Sequence, residues 1–200
     1  MTDDLLIHIH GFLCSHDAER VEQMKRYLVE NNLPVEVLSP VVADNPEAAV
    51  AQLEAILAIE IPRRRRIGLV GHSLGGYYAA YLSKQYELPA VLVNPVVKGY
   101  EIMCEYYGER YNPHTNTTFE IGEADIACLF RIENNDEDSY SKLLVLQQYG
   151  DDILDAQEVL DYYPKAKKIA VSGGSHAFDG FDAYVERVYE FLFGGGPLVS

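Results

Sequence analysis

Ile67-Gly-Leu-Val-Gly-His-Ser-Leu-Gly-Gly-Tyr77 decides how the rest of this chain is read. A short apolar run enters Gly71-His72-Ser73-Leu74-Gly75 and continues into an Ala/Tyr-rich helical pattern. Strand, G-x-S-x-G, helix is the context in which the motif forms a nucleophile elbow. A serine hydroxyl is a weak nucleophile at neutral pH, so it needs a base and a fixed, exposed position. The flanking glycines supply the position, because so tight a turn leaves no room for side chains and strains the serine backbone. Gly76 extends the small surface on which the helix packs. Partners for Ser73 are therefore expected later in the chain.

Outward from the elbow, strand and helix patterns alternate. Leu5–His10 reads as a buried strand and Val35–Ser39 as a second. Between them a helix from Asp17 to about Glu30 carries Val21, Met24 and Leu28 on one face. Asp44-Asn45-Pro46-Glu47 is a helix start, with Val50, Leu53, Leu57 and Ile61 as its buried stripe. Arg63–Arg66 follows as a solvated connector. The elbow helix runs to about Tyr86, with Tyr77, Tyr78 and Tyr81 as packing residues. Further strands are expected at Ala90–Asn94, Leu143–Gln148 and Lys168–Val171, with helices at Ala156–Tyr162 and over Val185, Val188, Tyr189 and Leu192. Gly194–Pro197 reads as a frayed terminus. The alternation gives a single α/β domain over residues 1–200: a mostly parallel sheet with helices on both faces, ligands binding at the carboxyl ends of its strands. From Lys98 to Asp138 the pattern breaks. A short helix fits Glu101–Tyr107, but no strand is convincing before Cys128, so 98–138 reads as a lid or substrate-binding insertion.

The base should be a histidine in a late loop. His176 follows the flexible Gly173-Gly174, after the last strand. The acid must lie between Ser73 and His176 in this fold's chain order. One usual place, after the strand that follows the elbow helix, holds Asn94-Pro95 instead. That leaves Asp151, with Asp152 and Asp155 as alternatives that could equally cap a helix. Two backbone amides should form the oxyanion hole, those of Leu74 and Phe12. His8 and His10 share a strand face but lack a third ligand at a recognisable spacing, so they read as core histidines, with no metal or other cofactor called for. Cys14 reads as a small buried residue.

Composition bounds the rest. The chain has 200 residues, 48% hydrophobic and 24% charged, with net charge −15. That charge argues against nucleic acid or an anionic membrane as partner. Three dispersed cysteines, acids at the N-terminus and no apolar stretch of membrane-spanning length point to the cytoplasm.

Taken together, Ile9-His-Gly-Phe12, Gly71-His-Ser-Leu-Gly-Gly-Tyr-Tyr78, Leu88-Pro-Ala-Val-Leu-Val-Asn-Pro95, Gln147-Gln-Tyr-Gly-Asp151 and Gly173-Gly-Ser-His-Ala-Phe178 with Gly180-Phe181 resemble the YqiA/YcfP-type esterases, small bacterial α/β-hydrolases. The resemblance implies a compact α/β-hydrolase fold reduced at its N-terminal side. It also implies hydrolysis of short-chain acyl esters by a serine esterase, with Ser73, Asp151 and His176 as the triad. His72 stands where the family pattern leads one to expect serine, which would alter the pocket rim. The same residues would also serve a thioesterase or acyltransferase, and the fold alone would serve a non-catalytic binding module.

Overall fold

The computed structural model describes residues 3–14 and 19–194. Six parallel strands form one sheet in the order β2-β1-β3-β4-β7-β8. These are β1 (Asp4–Ile9), β2 (Val35–Leu38), β3 (Arg66–His72), β4 (Ala90–Val93), β7 (Leu143–Gln148) and β8 (Lys167–Val171). The inner strands are near-continuous Val/Ile/Leu runs because both faces are covered. Leu5, Ile7 and Ile9 face the layer made by helices α2 (Pro46–Glu60), α3 (Leu74–Tyr86), α5 (Glu123–Ile132) and α6 (Ala156–Tyr162). Leu6, Val70, Val91 and Leu146 face α1 (Glu19–Glu30) and α7 (Val185–Phe193). The start expected for the first helix at Asp17, and the tail beyond Gly194, lie outside the described residues.

Four expectations are corrected. The irregular region contains strands: after α4 (Gly99–Cys104), β5 (Gly108–Asn112) and β6 (Thr117–Ile121) pair antiparallel as a separate hairpin. Its strands carry no apolar run because they are mostly polar and exposed, with Ile121 and Asn112 their buried members. The arginine run is not simply solvated. Arg65 and Arg66 both pair with Asp4, at 2.9 and 2.6 Å, and Arg64 pairs with Glu60 and Glu36. Ile61 leaves the buried stripe of α2 for a 3₁₀ turn and is 40% exposed. The start of α2 falls at Pro46 as read, but the Asn45 side chain caps nothing; the Asp125 carboxylate accepts the Glu47 amide instead.

Candidate active site

The elbow stands where β3 meets α3. Ser73 has φ 54° and ψ −124°, a backbone conformation that costs about 1–3 kcal/mol and persists only when its surroundings enforce it. Here they do. Its amide donates to the Val93 carbonyl at 3.1 Å, and its own carbonyl accepts from the amides of Gly76 and Val96 at 2.9 and 3.1 Å. The glycines are required by approach. A Cβ on Gly71 would sit 2.2 Å from the Gly75 oxygen, and one on Gly75 would sit 2.1 Å from the Ile9 oxygen. At Gly76 it would meet Pro95 at 2.7 Å.

Above the serine lies His176, in the loop after β8. Its Nε2 is 3.0 Å from Ser73 Oγ, while its Nδ1 is 2.9 Å and 3.0 Å from the two Asp151 carboxylate oxygens. A carboxylate can only accept, so Nδ1 carries the proton and Nε2 presents its lone pair to the serine hydroxyl. The Asp151 side chain is fully buried and the His176 side chain 15% exposed. Burial pushes the Asp151 carboxyl upward, but hydrogen bonds from His176 and from the Leu154 and Ile153 amides outweigh it and hold the group below its ordinary value. The alternatives fall into other roles: Asp152 accepts the His176 main-chain amide at 3.4 Å, and Asp155 caps α6 through the Gln157 and Glu158 amides.

Leu74 opens α3, so its amide is among those a helix leaves without an internal acceptor. Phe12 lies in the loop after β1. A Cβ on its neighbour Gly11 would come 3.0 Å from Ser73 Cβ, so the absent side chain is what lets this loop run against the elbow. Close approach is therefore the reason for glycine at this position. Phe12 meets Tyr106 and Phe119 edge-to-face, at 5.1 and 5.9 Å between centroids, which brings the 98–138 region onto the same loop.

The other flagged residues lie outside this constellation. His8 is fully buried with Nδ1 near Ser39 Oγ at 3.1 Å. His10 Nε2 accepts the Val42 amide and Nδ1 donates to the Gly11 carbonyl, each at 2.9 Å. Among the described residues no group of three or more His, Cys, Asp or Glu is placed to hold a metal ion. Cys14 is partly buried, and burial pushes its thiol up. Tyr77 is buried and donates to the Leu129 carbonyl. His72 is buried rather than exposed at a rim: it is 3% exposed, with Nε2 2.8 Å from the His176 carbonyl. Asn94, considered only as the place where an acid is missing, is fully buried and bonded to that same carbonyl at 3.0 Å.

A parallel sheet covered by helices on both faces, with a strained serine between its third strand and the following helix, is the α/β-hydrolase fold. The chain belongs to the uncharacterised protein family UPF0227, which it matches over residues 5–193; the YqiA/YcfP-type resemblance points to this family. Solved structures share the fold at low identity. Est1E from Butyrivibrio proteoclasticus aligns with TM-score 0.70 and 18% identity, over 96% of this chain and 87% of its own. Mouse alpha/beta hydrolase domain-containing protein 10 aligns with TM-score 0.66 and 13% identity, over 93% and 88%. An esterase from Pyrococcus furiosus aligns with TM-score 0.59 and 17% identity, over 96% and 81%. Among the described residues no helix is long and apolar enough to cross a membrane.

Proposed function

We propose that this protein is a cofactor-free serine esterase that hydrolyses short-chain acyl esters. The observation that carries the reading is the unbroken relay from Ser73 Oγ through His176 to Asp151. Ser73 Oγ attacks the ester carbonyl while His176 Nε2 takes its proton. Asp151 holds the ring in the required tautomer and stabilises the imidazolium. The Phe12 and Leu74 amides receive the oxyanion, each such donor contributing about 2.7–4 kcal/mol to the transition state. His176 then returns the proton to the leaving alcohol, and the acyl-serine forms. A water, deprotonated by the same imidazole, releases the acid and restores Ser73.

A short acyl group is what the resemblance of the motifs to the YqiA/YcfP-type esterases implies. Phe12, Leu13, Val42, Leu74 and Tyr78 line a small cleft beside the elbow, with room for about one water. The contacts of Phe12 with Tyr106 and Phe119 favour residues 98–138 as the substrate-facing cap of a single domain. The acidic surface fits a small soluble substrate and a cytoplasmic enzyme without nucleic acid or membrane partner.

The test is a fluorophosphonate probe together with p-nitrophenyl acetate. Wild-type protein should be labelled and turn over the ester. Ser73→Ala should lose labelling and drop turnover by about 10⁴-fold or more, with its circular dichroism unchanged. Equal turnover by Ser73→Ala would end the reading.

A further inference from the structure

Three neighbouring strands each deliver a buried polar side chain at their carboxyl ends, and all three side chains bond to one loop. His72 closes β3, Asn94 follows β4 and Gln148 closes β7; they are 3%, 0% and 3% exposed. His72 pairs with Val93, and Val93 with Leu146, so the three positions lie close to one level of the sheet. The loop is Ser175–Asp179, which carries His176. His72 Nε2 donates to the His176 carbonyl at 2.8 Å. Asn94 Nδ2 donates to the carbonyls of Ser175 and His176 at 2.9 and 3.0 Å. Gln148 Oε1 accepts the amides of Ser175 and Asp179, and its Nε2 donates to the Asp179 carbonyl at 2.8 Å.

Asn94 is itself fixed. Its Oδ1 accepts the Gln148 amide and its own amide donates to the Leu146 carbonyl, both at 2.9 Å. Two side-chain donors on one carbonyl saturate its lone pairs and hold its peptide plane. The bond to Asp151 fixes only the Nδ1 edge of the imidazole. Where Nε2 comes to rest depends also on the main chain from which the ring hangs, and that main chain is what these donors hold. His72 makes this bond at a cost, for its Nδ1 is buried with no hydrogen-bond partner among the described residues.

We propose that His72 and Asn94 are positioning residues, which hold the His176 carbonyl so that the imidazole Nε2 stays within hydrogen-bond reach of Ser73 Oγ. The proposal rests on the serine-esterase reading above. It also gives the site after β4 a purpose: in place of an acid that would touch the imidazole, an amide grips the backbone beneath it.

The experiment compares His72→Leu, Asn94→Ala and His72→Gln with wild type, with p-nitrophenyl acetate turnover, the fluorophosphonate labelling rate and the low-field proton NMR signal of the His176 Nδ1–H as readouts. A displacement near 1 Å costs about 100-fold, so His72→Leu and Asn94→Ala should lose about that much in kcat and labelling rate. KM should stay within about 3-fold, since the lost interaction acts in the transition state. The low-field signal should shift or broaden in both. A glutamine amide can reach the same carbonyl, so His72→Gln should keep the signal and recover to within about 10-fold of wild type. If His72→Leu does not fold, the same comparison on Asn94→Ala and His72→Gln decides. A labelled wild type with His72→Leu and Asn94→Ala equally fast would overturn the positioning role alone. A wild type that is neither labelled nor active would overturn the esterase reading and this proposal with it.

Discussion

Acidification from pH 8 to pH 5 should destabilise this protein through two buried neutral histidines. His8 and His72 follow Leu6 and Val70 along their strands and so lie on the α1/α7 face of the sheet. Burial, with the charge of Arg20 and the neighbouring histidines, pushes His8 down to about 3. Burial and Arg20 push His72 down to about 3 as well, against the opposing pull of the His176 carbonyl. In the unfolded chain each returns to about 6.5. Between these values the unfolded state binds more protons than the folded one, so stability rises with pH and falls on acidification. At pH 5 nearly all unfolded histidine is protonated and nearly all of the folded group is not. Linkage then gives a loss of about 2 kcal/mol per histidine relative to pH 8, about 4 kcal/mol for the two. Against a typical stability of about 5–15 kcal/mol that is a large fraction.

Urea unfolding at pH 8 and pH 5 measures it. Asp4 and Asp151, held below their ordinary values, keep their contributions throughout this window; those are lost only as pH falls further, through the folded values. The decisive comparison is wild type against His8→Asn, whose amide can still meet Ser39 but does not titrate. The fall in unfolding free energy between the two pH values should be smaller in the variant by about 2 kcal/mol. Equal falls in the two proteins would refute the assignment of His8 as a buried neutral group.

Two further outcomes are expected. Asp151→Asn should lower kcat for p-nitrophenyl acetate by about 10⁴-fold through the wrong imidazole tautomer, whereas Asp152→Asn should stay within about 10-fold; similar losses in both would reopen the choice of acid. Gly75→Ala should cost about 3 kcal/mol or prevent folding, because its Cβ meets the Ile9 and His10 carbonyls at 2.1 and 2.6 Å and neither can retreat without moving β1; a urea midpoint equal to wild type would show that the turn has slack.

What could be read from the chain beforehand followed strong local signals. Apolar runs bounded by glycine and proline located the six parallel strands. The elbow was legible because two steric demands, at Gly71 and Gly75, left glycine at both. The relay's chain order could be read too, and Asp151 led the candidate acids, but its neighbours stayed open as alternatives. Asp151, Asp152 and Asp155 lie within five residues, and only the path of the loop after β7 points one at the ring, one at a backbone amide and one at the start of α6. The hairpin was lost because a largely exposed two-stranded ribbon shows no buried period.

Asn94 and His72 were hidden for a different reason. Each was judged by what its side chain would do to a substrate or to an imidazole, whereas each acts on a main-chain carbonyl far away in sequence. Asn94 reaches Ser175 across 81 residues and His72 reaches His176 across 104. No local pattern encodes such a contact, because the acceptor is a backbone atom that every residue possesses. Strand order encodes it: β3, β4 and β7 lie side by side, and their ends converge beneath the loop that β8 releases. In this fold the choice of polar residue at a strand's carboxyl end can therefore govern how well a base is aimed, even where the side chain never meets the reacting atoms.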